Sequence, residues 1–259
     1  MNIKDSNVLI TGGASGIGLE IAKLVLSQGG RPVLVDNNKS LLEKCKTVLQ
    51  RYQIKPLYYY YDLSEMENHK LLFDELVKNH IIIDLLINNV AITKHKDFRY
   101  ASWGEIQRII NVNILCSINL CHLFLPSMIK NGNGAILNIS STAGKIACPH
   151  LLCYSASKSF INSFSETLSM ELKGTGVQAK YVCIGATDTD FFKNACMLDM
   201  NYTKNIKKMD PSKVAIECLN IVLKNKGNKI IGIRNKLNML ITKFIPEFLL
   251  HNISTRRFK

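Results

Sequence analysis

The chain has 259 residues, 47% of them hydrophobic and 20% charged. That length suits one α/β domain with a large core, and that composition excludes a disordered chain. The formal charge of +13 is concentrated late: from residue 224 onward nine bases face a single acid, Glu247, whereas the first 223 residues carry 24 bases against 19 acids.

The hydrophobic periodicity alternates between strand and helix. Residues 7–10 form a short apolar strand that runs into T-G-G-A-S-G-I-G at 11–18. Ile17, Ile21, Leu24 and Val25 then fall on one helical face, closed by Gly29 and Gly30. A second strand is expected at 32–35 and a helix through Leu41, Leu42, Cys45, Val48, Leu49 and Tyr52. A third strand covers 57–61, a helix 64–79, and a fourth strand the apolar run 82–87. One long helix is expected over 102–130, strand five at 135–139, a helix over 155–173 and strand six at 178–184. After an irregular stretch, 211–224 is helical and 229–233 is strand seven. Continuous apolar strands separated by helices predict a doubly wound parallel sheet of about seven strands, helices on both faces, in a single domain.

Three function classes fall away at this level. The basic residues lie in no nucleic-acid recognition element. No uninterrupted apolar run approaches the roughly eighteen residues of a membrane span, and the N-terminus carries no apolar signal core. Eight cysteines without a C-x-x-C pair read as free thiols in a reducing cytoplasm, with no disulfide framework and no metal site.

In such sheets ligands bind beyond the carboxyl ends of the strands. The glycine turn lies there, between strand one and helix one. Its glycines let backbone approach a pyrophosphate, and the helix behind it offers free N–H groups and a positive dipole end. Asp36 ends strand two, 24 residues past Gly12. It either caps the next helix or accepts hydrogen bonds from a ribose 2′-OH while repelling a 2′-phosphate. No basic residue sits in the turn, which favours NAD(H) over NADP(H), although Lys39 is close in sequence. Asp62, Asn88-Asn89-Val90-Ala91, Ser140-Ser141 and Ile184-Gly185 follow the later strands. Tyr154 and Lys158, spaced by four, share a helix face, where an ammonium would lower the phenol pKa from about 10.

These motifs, in this order over roughly residues 7–233, resemble the short-chain dehydrogenase/reductase family. Thr11, Gly12, Gly16 and Gly18 match its Thr-Gly-x-x-x-Gly-x-Gly turn. Asn113, Ser141, Tyr154 and Lys158 match its catalytic tetrad, Ser141 standing thirteen residues before Tyr154. The resemblance implies a Rossmann fold and hydride transfer between nicotinamide and a secondary alcohol or ketone. Tyr154 would be the acid/base, Lys158 its tuner and a ribose ligand, Ser141 the carbonyl orienter and Asn113 the holder of a water. It also implies cofactor contacts at Gly12, Ser15, Gly16, Ile17, Gly18, Asp36, Asp62 (adenine), Leu63, Asn89, Tyr154, Lys158, Gly185 and Thr189 (carboxamide). A homodimer or homotetramer is the implied assembly. A dinucleotide sensor without turnover is the alternative, which the intact tetrad disfavours.

Three positions depart from the family pattern: Ala91 and Cys116 stand where it has glycine, and Ile184 where it has proline. An alanine at 91 would be strained if that residue needed a positive φ. Phe191, Phe192, Met197, Leu198 and Met200, with Lys193, Lys204, Lys207 and Lys208 around them, suggest either an apolar substrate lid or an amphipathic helix pair packing on the core. The basic extension 236–259 carries a helical stripe of Leu237, Leu240, Ile241 and Phe244. Packing of this stripe on the body or a sister subunit is expected ahead of peripheral contact with an anionic membrane.

Overall fold

A computed structural model describes residues 1–198, 200, 203 and 206–258. Seven parallel strands form one sheet in the order β3-β2-β1-β4-β5-β6-β7: β1 Asn7–Thr11, β2 Arg31–Asp36, β3 Leu57–Tyr60, β4 Leu85–Asn88, β5 Gly134–Ser141, β6 Val177–Ile184 and β7 Lys229–Ile230. The chain winds outward from β1 to β3, then returns to set β4 against β1, with Ile10 beside Ile87. That reversal is the topological switch point where such sheets bind ligands.

Alternate residues of each central strand enter opposite layers, as the two-residue period requires. Val8, Ile10 and Leu34 pack beneath α1 (Gly16–Ser27) and α2 (Lys39–Leu49). Leu9, Val33 and Val35 face the other layer, with α3 (Met66–Lys78) and the long helical stretch after β4. That stretch is not one helix. It consists of α4 (Trp103–Ile110), a π-helical turn over Asn111–Leu115 and α5 (Cys116–Lys130). Counted together, Trp103–Lys130 is long and apolar enough to cross a membrane, with a mean hydropathy of 1.6 over an 18-residue stretch. It instead covers the sheet, burying Val112, Cys116, Leu120, Phe124 and Met128.

Then come α6 (Leu152–Glu171), a short α7 (Phe191–Asn194), α8 (Pro211–Leu223), α9 (Ile233–Thr242) and α10 (Glu247–Phe258). Two strands are shorter than their apolar runs. Ile82 is exposed, so β4 begins only at Leu85, and β7 ends where Gly232 takes φ +88° and the chain turns into α9. Lys204, expected among the lid lysines, lies outside the described residues, as does the side chain of Arg257.

Candidate active site

The carboxyl ends of β1, β2, β4, β5 and β6 open onto one cleft of about 850 Å³, toward the upper end of ligand-pocket sizes. Its floor begins with the glycine turn. Gly12 and Gly16 adopt φ +62° and +51°, conformations that a side chain disfavours. A Cβ on Gly18 would stand 2.3 Å from the Gly12 carbonyl oxygen, so this glycine lets α1 press against the turn. Ser15 is the N-cap of α1 but makes no side-chain cap, and no acid occupies the first helical turn. The helix therefore directs uncapped N–H groups at the cleft, the arrangement that suits a phosphate. These features fit a dinucleotide: the cradle is open where a Cβ would fill it.

Asn89 staples the turn. Its Nδ2 donates to the carbonyls of Thr11 (2.9 Å) and Gly12 (3.1 Å), while the N–H groups of Asn89 and Val90 donate to the Thr11 hydroxyl. Asp36, at the end of β2, accepts from the N–H of Asn38 (3.1 Å) and of Ala14 (3.3 Å). Burial pushes its pKa above the usual carboxylate value, against the pull of those N–H groups. Lys39 does not compete for the cleft, for its ammonium lies 4.6 Å above the Tyr60 ring.

The catalytic candidates come from β5, α6 and the π turn. Ser141 ends β5, its Oγ accepting from the N–H of Ala143 at 3.1 Å. Tyr154 lies in the first turn of α6, nearly buried, with its ring 5.4 Å from that of Phe191. One turn later, Lys158 sits with Nζ 5.8 Å from the Tyr154 ring centre and donates to the Ile139 carbonyl at 2.8 Å. Burial pushes the Lys158 ammonium down to about 8, partly offset by the neighbouring Cys183. Asn113 clamps the segment after β4. Its Oδ1 accepts from the Ile92 N–H and its Nδ2 donates to the Ile92 carbonyl, both at 2.9 Å, and also to Ser157 Oγ at 3.0 Å. Ser157 in turn donates to the Tyr154 carbonyl at 2.7 Å, so one side chain ties the β4 loop to the helix bearing Tyr154.

The cleft is thus lined by Gly12, Ser15, Gly16, Ile17, Asp36, Asn89, Ser141, Tyr154, Lys158, Gly185 and Thr189, all expected from sequence. Others lie elsewhere. Gly18 and Asn113 support the site from behind. The Leu63 side chain is in the core. Asp62 is bound at 2.9 Å to Arg108 and accepts from the Ser64 N–H. Burial raises the Asp62 pKa, but Ser64 and Arg108 outweigh that and hold it below the usual range.

The departures are accommodated. Ala91 is not among the residues of positive φ, so its methyl brings no backbone strain. Cys116 is fully buried at the start of α5. A Cβ on Gly185 would stand 2.3 Å from Asn235 Nδ2, so this glycine makes room for α9. The apolar stripe gave no sign that this helix lines the cleft, which it does with Arg234, Asn235, Asn238, Met239 and Thr242, a mostly polar face at helical spacing.

A family model described as short chain dehydrogenase matches residues 6–197. The chain belongs to the short-chain dehydrogenase/reductase family of oxidoreductases. Among curated relatives, it is 29% identical to a ketoacyl reductase, HetN, of Nostoc sp. (strain PCC 7120), over 92% of this chain and 82% of that protein. A short-chain dehydrogenase/reductase from Burkholderia phymatum in complex with NAD superposes with a TM-score of 0.86 at 20% identity, covering 92% and 93% of the two chains. A short-chain dehydrogenase from Sphingobium yanoikuyae in complex with NADPH gives 0.82 at 24% identity, with the same coverage.

Proposed function

We propose that this short-chain dehydrogenase/reductase interconverts a secondary alcohol and a ketone, using NAD(H) in preference to NADP(H). The observation that carries the reading is the convergence of Ser141, Tyr154 and Lys158 on the cleft that the glycine turn opens. The nicotinamide cofactor, when bound, supplies or accepts the hydride. Gly12, Ser15 and Gly16 would hold its pyrophosphate through backbone N–H groups. Tyr154 exchanges the proton with the substrate oxygen. Lys158, charged beside it, favours the phenolate and lowers the cost of that exchange. The Ser141 hydroxyl orients the substrate oxygen and steadies its developing charge.

Preference for NAD(H) rests on Asp36 at the ribose end of the cleft and on Lys39 being engaged with Tyr60. The apolar side chains Ile146, Leu151, Phe191, Phe192 and Met197 line the other end. With a ketoacyl reductase among the relatives, they support a ketone carried on an acyl or similarly apolar chain. Six of the eight cysteines are buried, in keeping with a reducing cytoplasm.

The test is a panel of 3-oxoacyl thioesters and aliphatic ketones, followed by nicotinamide absorbance with each cofactor. Turnover of at least one ketone, faster with NADH than with NADPH at equal concentration, is the expected result. NADH binding without turnover on any member would favour a sensor.

A further inference from the structure

The two C-terminal helices have opposite faces of different character. The inner face of α9 closes the cleft with Asn235, Asn238 and Thr242. Its outer face carries Ile233, Leu237 and Leu240, at spacings of four and three, and Phe244 follows in the turn after the helix. All four are exposed, Ile233 at 85% and Phe244 at 81%, and Phe248 at the start of α10 adds 65%. The body of the protein does not cover this ridge; of the stripe expected to pack on the body or a sister subunit, Ile241 alone borders the cleft. Arg234, Lys236, Lys243 and Arg256 on the same two helices are also exposed.

Charge decides between the two occupants that an apolar ridge of this kind admits. A twofold contact with a second copy would set the same surface against itself. Here that means Arg234, Lys236, Lys243 and Arg256 against one acid, Glu247, on each side, a net repulsion. An anionic bilayer matches both properties at once: its headgroups meet the bases and its acyl boundary takes the aromatic and aliphatic side chains.

We propose that the α9–α10 pair docks the protein on an anionic membrane surface, with Phe244 and Phe248 inserted and Lys236 and Lys243 at the headgroups. Ile241, Ile253 and Arg256 of the same helices border the cleft. Docking therefore holds the helices that border the cleft at the bilayer, where an apolar substrate would be concentrated. The docking surface stands independently of the chemistry proposed for the cleft.

The test is cosedimentation of the full chain with phosphatidylcholine vesicles, with and without phosphatidylserine, at an ionic strength of about 0.15 M. The protein is expected to sediment with the anionic vesicles and stay in solution with the neutral ones. The pairs Phe244→Ser/Phe248→Ser and Lys236→Glu/Lys243→Glu should each lower the partition coefficient at least about tenfold. NADH affinity, measured on the same preparations, should be unchanged; its loss in the parent protein would count against the oxidoreductase reading, not the docking surface. Should the phenylalanine pair fail to fold, the charge pair carries the test alone. Three results would overturn the proposal: no sedimentation with anionic vesicles, equal sedimentation with neutral ones, or binding indifferent to both pairs. A dimer that the phenylalanine pair dissolves, without vesicle binding, would assign the ridge to a second copy instead.

Discussion

Lys158 is a basic residue held almost free of solvent, its ammonium donating to the Ile139 carbonyl. A lysine whose folded pKa is near 8 binds fewer protons than the unfolded chain, where the value is near 10.4. Holding the charge at neutral pH therefore costs stability, on the order of 3 kcal/mol, and the cost fades as pH rises from 8 toward 10. Lys158→Met should accordingly raise Tm by several degrees at pH 7 while removing turnover, and the gain should shrink at pH 10. Thermal melts at the two pH values check this; a variant less stable at pH 7 would contradict it. Asp36 has a second duty, accepting N–H groups from Ala14 and Asn38. Asp36→Ala should weaken NADH binding and lower the ratio of the NADPH to the NADH dissociation constant about tenfold. Fluorescence titration of both cofactors measures that ratio, and an unchanged value would remove Asp36 from cofactor choice.

Among elements, the π turn at Asn111–Leu115 is the device that aims Asn113 at Ile92 and Ser157. Such turns recur at functional sites because one extra residue in the turn redirects a side chain without ending the helix. Asn113→Ala should leave both backbone groups of Ile92 without that partner and cost about 2 kcal/mol, a Tm loss of several degrees. Calorimetry decides it; an unshifted Tm would mean that the clamp is not structural. The turn itself was not legible in the sequence, since the apolar pattern runs through Val112, Cys116 and Leu120 as it would in one helix. The strands and helices around it were legible, because buried strands read as apolar runs and each helix keeps its stripe. The tail was legible as a helix but not in its orientation. A stripe of Leu237, Leu240 and Phe244 normally faces inward. Here α9 turns Asn235, Asn238 and Thr242 toward the cleft and Leu237 and Leu240 outward.

On the scale of the molecule, the sheet reversal between β1 and β4 brings residues 12 and 154, far apart in sequence, into one cleft. The tetrad was identifiable because its four members keep the family's order and spacing. The dual role of Asn89, a staple on the turn as well as a cleft residue, was not, because it depends on a contact between β1 and β4 that no local pattern encodes. Tyr154 is the proposed proton-transferring group of a cofactor-loaded cleft, and Tyr154→Phe separates proton transfer from cofactor binding. In one preparation, NADH affinity should stay within about twofold of the parent, because only the hydroxyl is removed. Turnover of the best ketone should fall at least about 100-fold. Turnover retained by Tyr154→Phe at the parent's rate would contradict the central claim.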